Sequence, residues 1–122
     1  MSIALPHNGT ATSIAAAQNA IPKVKQDRKG ITAFIARMEI DGATDDEISR
    51  ALPMVHPNAA RARRGECCGY GLITDSLGLT RATSTGSMAK CWHVTLEGVR
   101  RLGLDVATHW HAEKTAVTNA PQ

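Results

Sequence analysis

Two prolines four residues apart, Pro53 and Pro57, constrain this chain more than any other feature. Proline cannot continue a helical ladder, so a helix before Pro53 must stop there. It is favoured at the first helical position, so a new helix is expected at Pro57. The helix that stops begins at Thr44. Thr44-Asp45-Asp46-Glu47 fits a capping box, in which the Thr hydroxyl accepts from the Glu47 N–H and the Glu47 carboxylate reaches back. Three acids in the first turn suit the positive end of the helix dipole. Ile48, Ala51 and Leu52 give it one apolar face.

The helix from Pro57 carries two stripes. Asn58, Arg61, Gly65 and Cys68 lie on one, and Ala60, Arg64, Cys67 and Gly71 on another. The first stripe has the chemistry of a surface that meets something polar. Arg61, Arg63 and Arg64 lie close together with no acid before Glu66. Between Ile48 and Arg101 eight Lys and Arg face three acids, a local balance of +5 in a chain whose net charge is +3. A short helix, a tight turn and a second helix with a cationic outer face make a helix-turn-helix, whose second helix can lie in a DNA major groove. A basic segment coinciding with it is an electrostatic footprint for nucleic acid. The bland alternative is a solvated charged face.

The remaining elements follow from periodicity. Ile31, Phe34, Ile35 and Met38 predict a helix over 30–40, closed by Asp41-Gly42. With Phe, Tyr and Trp only 3% of the chain, Phe34 and Trp92 are the expected large core anchors. The first two helices of the pair are expected over 44–53 and 57–70. Strands are expected at 72–76 and 88–95, with turns around Gly78 and Gly86, and Arg81 at the tip of the hairpin with Lys90 further down its return strand. Thr95 to Leu104 reads as a closing helix, weakened by Gly98 and Gly103, or as a contact surface through which two copies pair. The fold class is therefore α+β: three helices, a two-stranded hairpin and a C-terminal helix. The domain is expected over 26–104. Residues 1–25 read as a flexible arm in which a brief helix ends at Pro22, and 105–122 as a flexible tail.

Leu52, Met54, Asn58, Arg61, Arg63-Arg64, Glu66 and Gly71-Leu72-Ile73 resemble the core of a winged helix-turn-helix family common in phage and prophage genomes. In that family a TDDEI stretch opens the second helix, RR-x-E lies in the third and GLI opens the wing. An R-x-T-x-S-G-x-x-A-x-x-W run follows. Arg81, Thr83, Thr85, Gly86, Ala89 and Trp92 stand at those spacings, with Thr85 in place of the usual Ser and Ser87 where the family often has Arg. The resemblance spans roughly Ile31 to Trp92. It implies a DNA-binding protein, a phage or prophage regulator or accessory factor, acting in the cytoplasm of a bacterial or infected host cell. Arg61 and Asn58 are the expected base readers, since an amide suits adenine; for Asn58 the alternative is that it merely starts the helix. Arg63, Arg64, Arg81 and Lys90 are the expected backbone contacts. For Arg64 the alternative is a pair with Asp46 or Glu47 that holds the two helices in register. For the whole chain the rival is an adaptor that binds protein, since fold does not fix function. An adaptor has no need of Arg61, Arg63 and Arg81 together.

Other chemistry is poorly supplied. Cys67, Cys68 and Cys91 are odd in number, with no C-x2-C pair, which suits neither a disulfide framework nor tetrahedral zinc. Cys67 reads as a small buried hydrophobe. His109-Trp110-His111 falls in the expected tail, so no metal or other cofactor is assigned. Cys91 and His93 share a strand face without a third group, and paired catalytic carboxylates, a G-x-S-x-G elbow and a phosphate loop are all missing. An enzyme is not expected. An apolar run of 18 residues is missing too, so no membrane span is expected.

Overall fold

The computed structural model describes residues 11–114, with side chains from residue 22 onward. The arm over 1–10 and the end of the tail over 115–122 lie outside the described residues. The chain runs through α1 (Ala11–Met38), a 3-10 turn (Glu39–Asp41), α2 (Asp45–Ala51) and α3 (Pro57–Gly69). Strands β1 (Ile73–Thr74), β2 (Thr80–Ala82), β3 (Met88–Lys90) and β4 (His93–Val94) follow, then α4 (Leu96–Arg101). This is an α+β fold with two small antiparallel sheets.

The helix expected over 30–40 begins at Ala11 and runs through Pro22, so residues 11–25, assigned to an arm, are helical. Proline inside a helix removes one ladder bond but does not forbid the turns on either side of it. The buried face of α1 is Ile31, Thr32, Ile35 and Ala36. Phe34 stands at its flank, only partly buried, with the Arg37 guanidinium 5.8 Å from its ring centre. The core anchors are therefore Ile31 and Ile35 in place of Phe34, together with Trp92 at 6% exposure. The Thr32 hydroxyl, buried on this face, is satisfied by the Arg28 carbonyl at 2.9 Å.

The two ends of the helix pair form as their sequence dictates. Thr44 Oγ1 accepts from Glu47 N, and Glu47 Oε1 accepts from Thr44 N, completing the capping box of α2. Pro57 opens α3, and the preceding His56 caps it through Nδ1, which accepts from Asn58 N at 3.1 Å.

The hairpin is less regular than the expected single ladder. β1 pairs with β4, Ile73 opposite Val94, and β2 pairs with β3, Arg81 opposite Ala89. The expected strand over 88–95 is broken at Cys91-Trp92, because the Trp92 backbone pairs with Ala43 in both directions, at 2.8 and 3.0 Å. The outgoing strand turns away at Asp75–Gly78, where Gly78 takes φ +70°. Trp92 thereby ties the segment before α2 to the return strand.

The chain after α4 is not a tail at its start. Trp110 packs against the core, His111 and Ala112 are buried, and the Glu113 carboxylate accepts from Leu96 N at 3.0 Å. An indole next to a core edge offers more apolar area than the surrounding polar residues suggest.

Thr95 caps α4, accepting from Gly98 N and donating to the Gly71 carbonyl at 2.6 Å. Gly98 and Val99 are buried, which leaves Glu97, Arg100 and Arg101 on the outer side of this short helix. Gly98 has a positive reason to be glycine. A Cβ there would collide with the Leu72 carbonyl oxygen and lie 2.7 Å from Val94 Cγ2. By helix propensity alone, Gly98→Ala would stabilise by about 1 kcal/mol. Backbone collision reverses the sign: the variant is expected to lose roughly 1–3 kcal/mol of stability, read from urea melts.

Candidate nucleic-acid interface

The two stripes of α3 separate as their spacing requires. Asn58, Arg61, Gly65 and Cys68 are exposed, and Ala62 with them. Ala60 and Cys67 are buried, and Arg64 is half-buried. Arg61 Nη2 donates to Asn58 Oδ1 at 3.3 Å, so the two polar groups at the start of the helix act as one unit.

The other expected DNA contacts are held within the protein. Arg64 makes a bidentate pair with Asp45 of α2, both bonds 2.8 Å, and its guanidinium lies 4.4 Å from the Trp92 ring centre. The helix-registering alternative was therefore nearly right, one residue off: Asp46 pairs with Arg50 and Glu47 with Arg81. Arg63 pairs with Glu66 at 2.7 Å, and the other Glu66 oxygen takes Arg28 of α1 at 2.8 Å. Lys90 pairs with Asp75 at 2.9 Å and stands 5.4 Å from the Trp92 ring centre.

Arg81 is not at the hairpin tip. Side chains of a strand alternate between faces, so Arg81 and its partner Ala89 face α2, while Thr80, Ala82, Met88 and Lys90 face outward. Its guanidinium makes two bonds to the Glu47 carboxylate, 2.6 and 2.8 Å, and donates to the carbonyls of Asp41 and Gly42 at 3.0 and 3.1 Å. Arg81 holds the Glu47 carboxyl below its ordinary range and is itself pushed up by the same bonds.

Of the eight cations between Ile48 and Arg101, Arg61 alone lacks an acidic partner among the described residues. The excess of +5 belongs to the segment between Ile48 and Arg101 alone. From Thr44 to Arg101, with Asp45, Asp46 and Glu47 included, the balance is +2. Those three acids are the partners of Arg64, Arg50 and Arg81.

Between α2, the start of α3 and the hairpin loop lies a cleft of about 440 Å³. Arg61 stands on one wall and the hydroxyls of Thr83, Ser84, Thr85 and Ser87 on the other, with Asp45, Asp46 and Ser49 of α2 also lining it. Those hydroxyls were visible in sequence only as a polar loop; their clustering opposite Arg61 depends on the β2–β3 register.

The cysteines and histidines do other work. Cys67 is fully buried, its Sγ 3.4 Å from Thr32 Oγ1, and burial pushes its thiol up. Cys91 is buried and Cys68 exposed. His93 is fully buried, with Nε2–H donating to the Ile40 carbonyl at 2.9 Å and its ring 5.7 Å from that of Trp110. Gly42 makes room for it, since a Cβ there would lie 2.6 Å from Nε2. Among the described residues no three His, Cys, Asp or Glu side chains group as a metal site, and no helix is long and apolar enough to cross a membrane.

Compared with protein-family models, curated proteins and solved structures, the chain matches none of them. The family likeness rests on the sequence motifs alone.

Two measurements test this geometry. Arg64→Ala removes two charge-assisted bonds and a ring contact, and is expected to cost about 1–3 kcal/mol in denaturant melts. Arg61→Ala, on the exposed stripe, is expected to stay within about 0.5 kcal/mol of the parent. The second concerns pH. Burial pulls His93 below its ordinary pKa of 6.5, so the unfolded chain takes the proton first. Its contribution to stability is whole above pH about 6.5 and is lost as pH falls toward the depressed folded value. Melting temperature is expected to decline over that window, and less steeply in His93→Gln.

Proposed function

We propose that the chain is a winged helix-turn-helix protein that binds double-stranded DNA, with α3 in the major groove and the β2–β3 hairpin as the wing. One observation carries this reading. Asn58 and Arg61, two base-reading side-chain types, stand exposed one turn apart at the start of α3, and Arg61 pairs with no acid among the described residues. Beyond them the exposed stripe is Ala62, Gly65 and Cys68, small enough for close approach to base edges. The hydroxyl loop Thr83–Ser87, across the cleft from Arg61, supplies neutral donors for phosphate oxygens. The sequence likeness to phage and prophage proteins supports a role as a regulator or accessory factor in a bacterial or infected cell.

This reading narrows the contact set. Asn58 and Arg61 remain as base contacts, while Arg63, Arg64, Arg81 and Lys90 act by holding the elements that present them. The same pairing favours a second reading. An adaptor does not need a free cationic face, and seven of the eight cations in this segment are tied to acids.

Fluorescence anisotropy on a selected duplex and on random duplex DNA separates the readings. Arg61→Ala is expected to lose about 1–3 kcal/mol on the selected site and much less on random DNA. Arg81→Ala is expected to lower the melting temperature while leaving the salt dependence of binding unchanged, because its charge is already engaged. If Asn58→Ala/Arg61→Ala binds every duplex as the parent does, the adaptor reading takes over.

A further inference from the structure

Beyond Arg61, uncompensated positive charge also gathers away from the α2–α3–hairpin cleft. Lys25 and Lys29 are one turn apart on α1, exposed, and without an acidic partner among the described residues. Arg28 lies between them and shares Glu66 with Arg63, two guanidiniums on one carboxylate. On α4, Arg101 and Arg100 likewise share Glu97. Each shared set keeps one positive charge, and the two lysines add theirs.

These groups surround a groove of about 300 Å³. Lys25, Arg28 and Lys29 form one wall and Arg101 another, and Leu72 and Leu102 supply apolar surface. Tyr70 completes it: the residue is 57% exposed, and the Arg28 guanidinium lies 5.3 Å from its ring centre. The groove shares no residue with the cleft beside Arg61.

We infer that this groove binds a nucleoside phosphate, the phosphate held by Lys25, Lys29 and Arg101 and the base laid against Tyr70 and the two leucines. The cations specify an anion. The apolar surface and the exposed ring specify that the anion carries a planar body, since a bare phosphate leaves them in water. The volume suits one nucleotide unit, from either of two sources: a free nucleotide, or the phosphorylated end of a nucleic-acid strand. The site is also wired to α3. A phosphate drawing on Arg28 competes with Glu66, whose other oxygen holds Arg63, so occupancy loosens one anchor of α3 to α1.

Isothermal titration of the full chain with adenosine 5′-monophosphate tests this, with adenosine, inorganic pyrophosphate and a 5′-phosphorylated tetranucleotide as separate arms. The monophosphate, the tetranucleotide or both are expected to bind, at least tenfold more tightly than adenosine or pyrophosphate. Tight binding of the monophosphate assigns a free nucleotide; tight binding of the tetranucleotide alone assigns a strand end. Lys25→Glu/Lys29→Glu, at exposed positions, is expected to weaken binding at least tenfold with melting temperature unchanged, and Tyr70→Ala to weaken it severalfold. Asn58→Ala/Arg61→Ala is expected to leave it unchanged, which keeps this site distinguishable from the duplex site. Absence of binding in both phosphate-bearing nucleoside arms, equal binding of pyrophosphate, or indifference to the lysine reversals overturns the assignment.

Discussion

The Arg81 guanidinium holds together the parts that the rest of the structure depends on. Two of its bonds go to Glu47, the residue that closes the capping box of α2, and two go to carbonyls at the end of the 3-10 turn. One planar fork thus fixes the hairpin, the start of α2 and the end of the α1 segment at once. Arginine suits this because its donors are set in a rigid plane that matches a carboxylate edge, while lysine offers only a point charge. The pair is part exposed, so its energetic contribution is modest. Its geometric contribution is larger. The Ala43–Trp92 bridge next to it has the same two segments as partners, and Arg64 then covers the Trp92 ring from α3. Hairpin, α2 and α3 are thus joined by a chain of arginine and aromatic contacts at the edge of the apolar core to which Ile48, Cys67 and Trp92 belong.

What was legible in the sequence was local. The capping box at Thr44, the break at Pro53, the start at Pro57, the cap at Thr95 and the division of α3 into two stripes are each set by residues within a few positions of one another. Helix termini and helical faces obey such short-range rules. What was not legible was which side chains would meet across the chain. Arg81 lies 34 positions from Glu47, and Arg28 lies 38 from Glu66. A run of arginines looks the same whether its partners are phosphates or carboxylates folded beside it. Phe34 shows the same limit on the apolar side. Its period matched the helix face, yet the buried arc centres on Ile31 and Ile35, because the rest of the fold selects which part of an amphipathic face is covered. Gly98 is a sharper case: sequence reads it as a weakness in a helix, whereas packing against Leu72 and Val94 makes the missing side chain the reason the helix docks.

Charge is therefore a poor guide here until it is paired. Long-range attraction to nucleic acid grows with the number of phosphates a surface neutralises, through release of counterions. On the α3 face that number is small, because the cations which suggest it are already balanced by acids of α2, of α3 and of the hairpin base. Binding through this face must draw on hydrogen-bond geometry: the Asn58–Arg61 unit aimed outward and the hydroxyls of the hairpin loop. Under the proposed reading, such an interface would discriminate by fit and recruit weakly by charge. Apart from Arg61, free charge gathers around Tyr70, between α1 and α4. Under the proposed reading, attraction and readout would fall to different surfaces of the domain, and Glu66, bonded to Arg28 of α1 at one oxygen and to Arg63 of α3 at the other, links the two helices that carry them. A change in what Arg28 binds alters the hold on α3 without passing through the core, because the link is two hydrogen bonds at a partly exposed carboxylate, free to exchange partners while the buried face of Ile31, Ile35 and Cys67 stays packed.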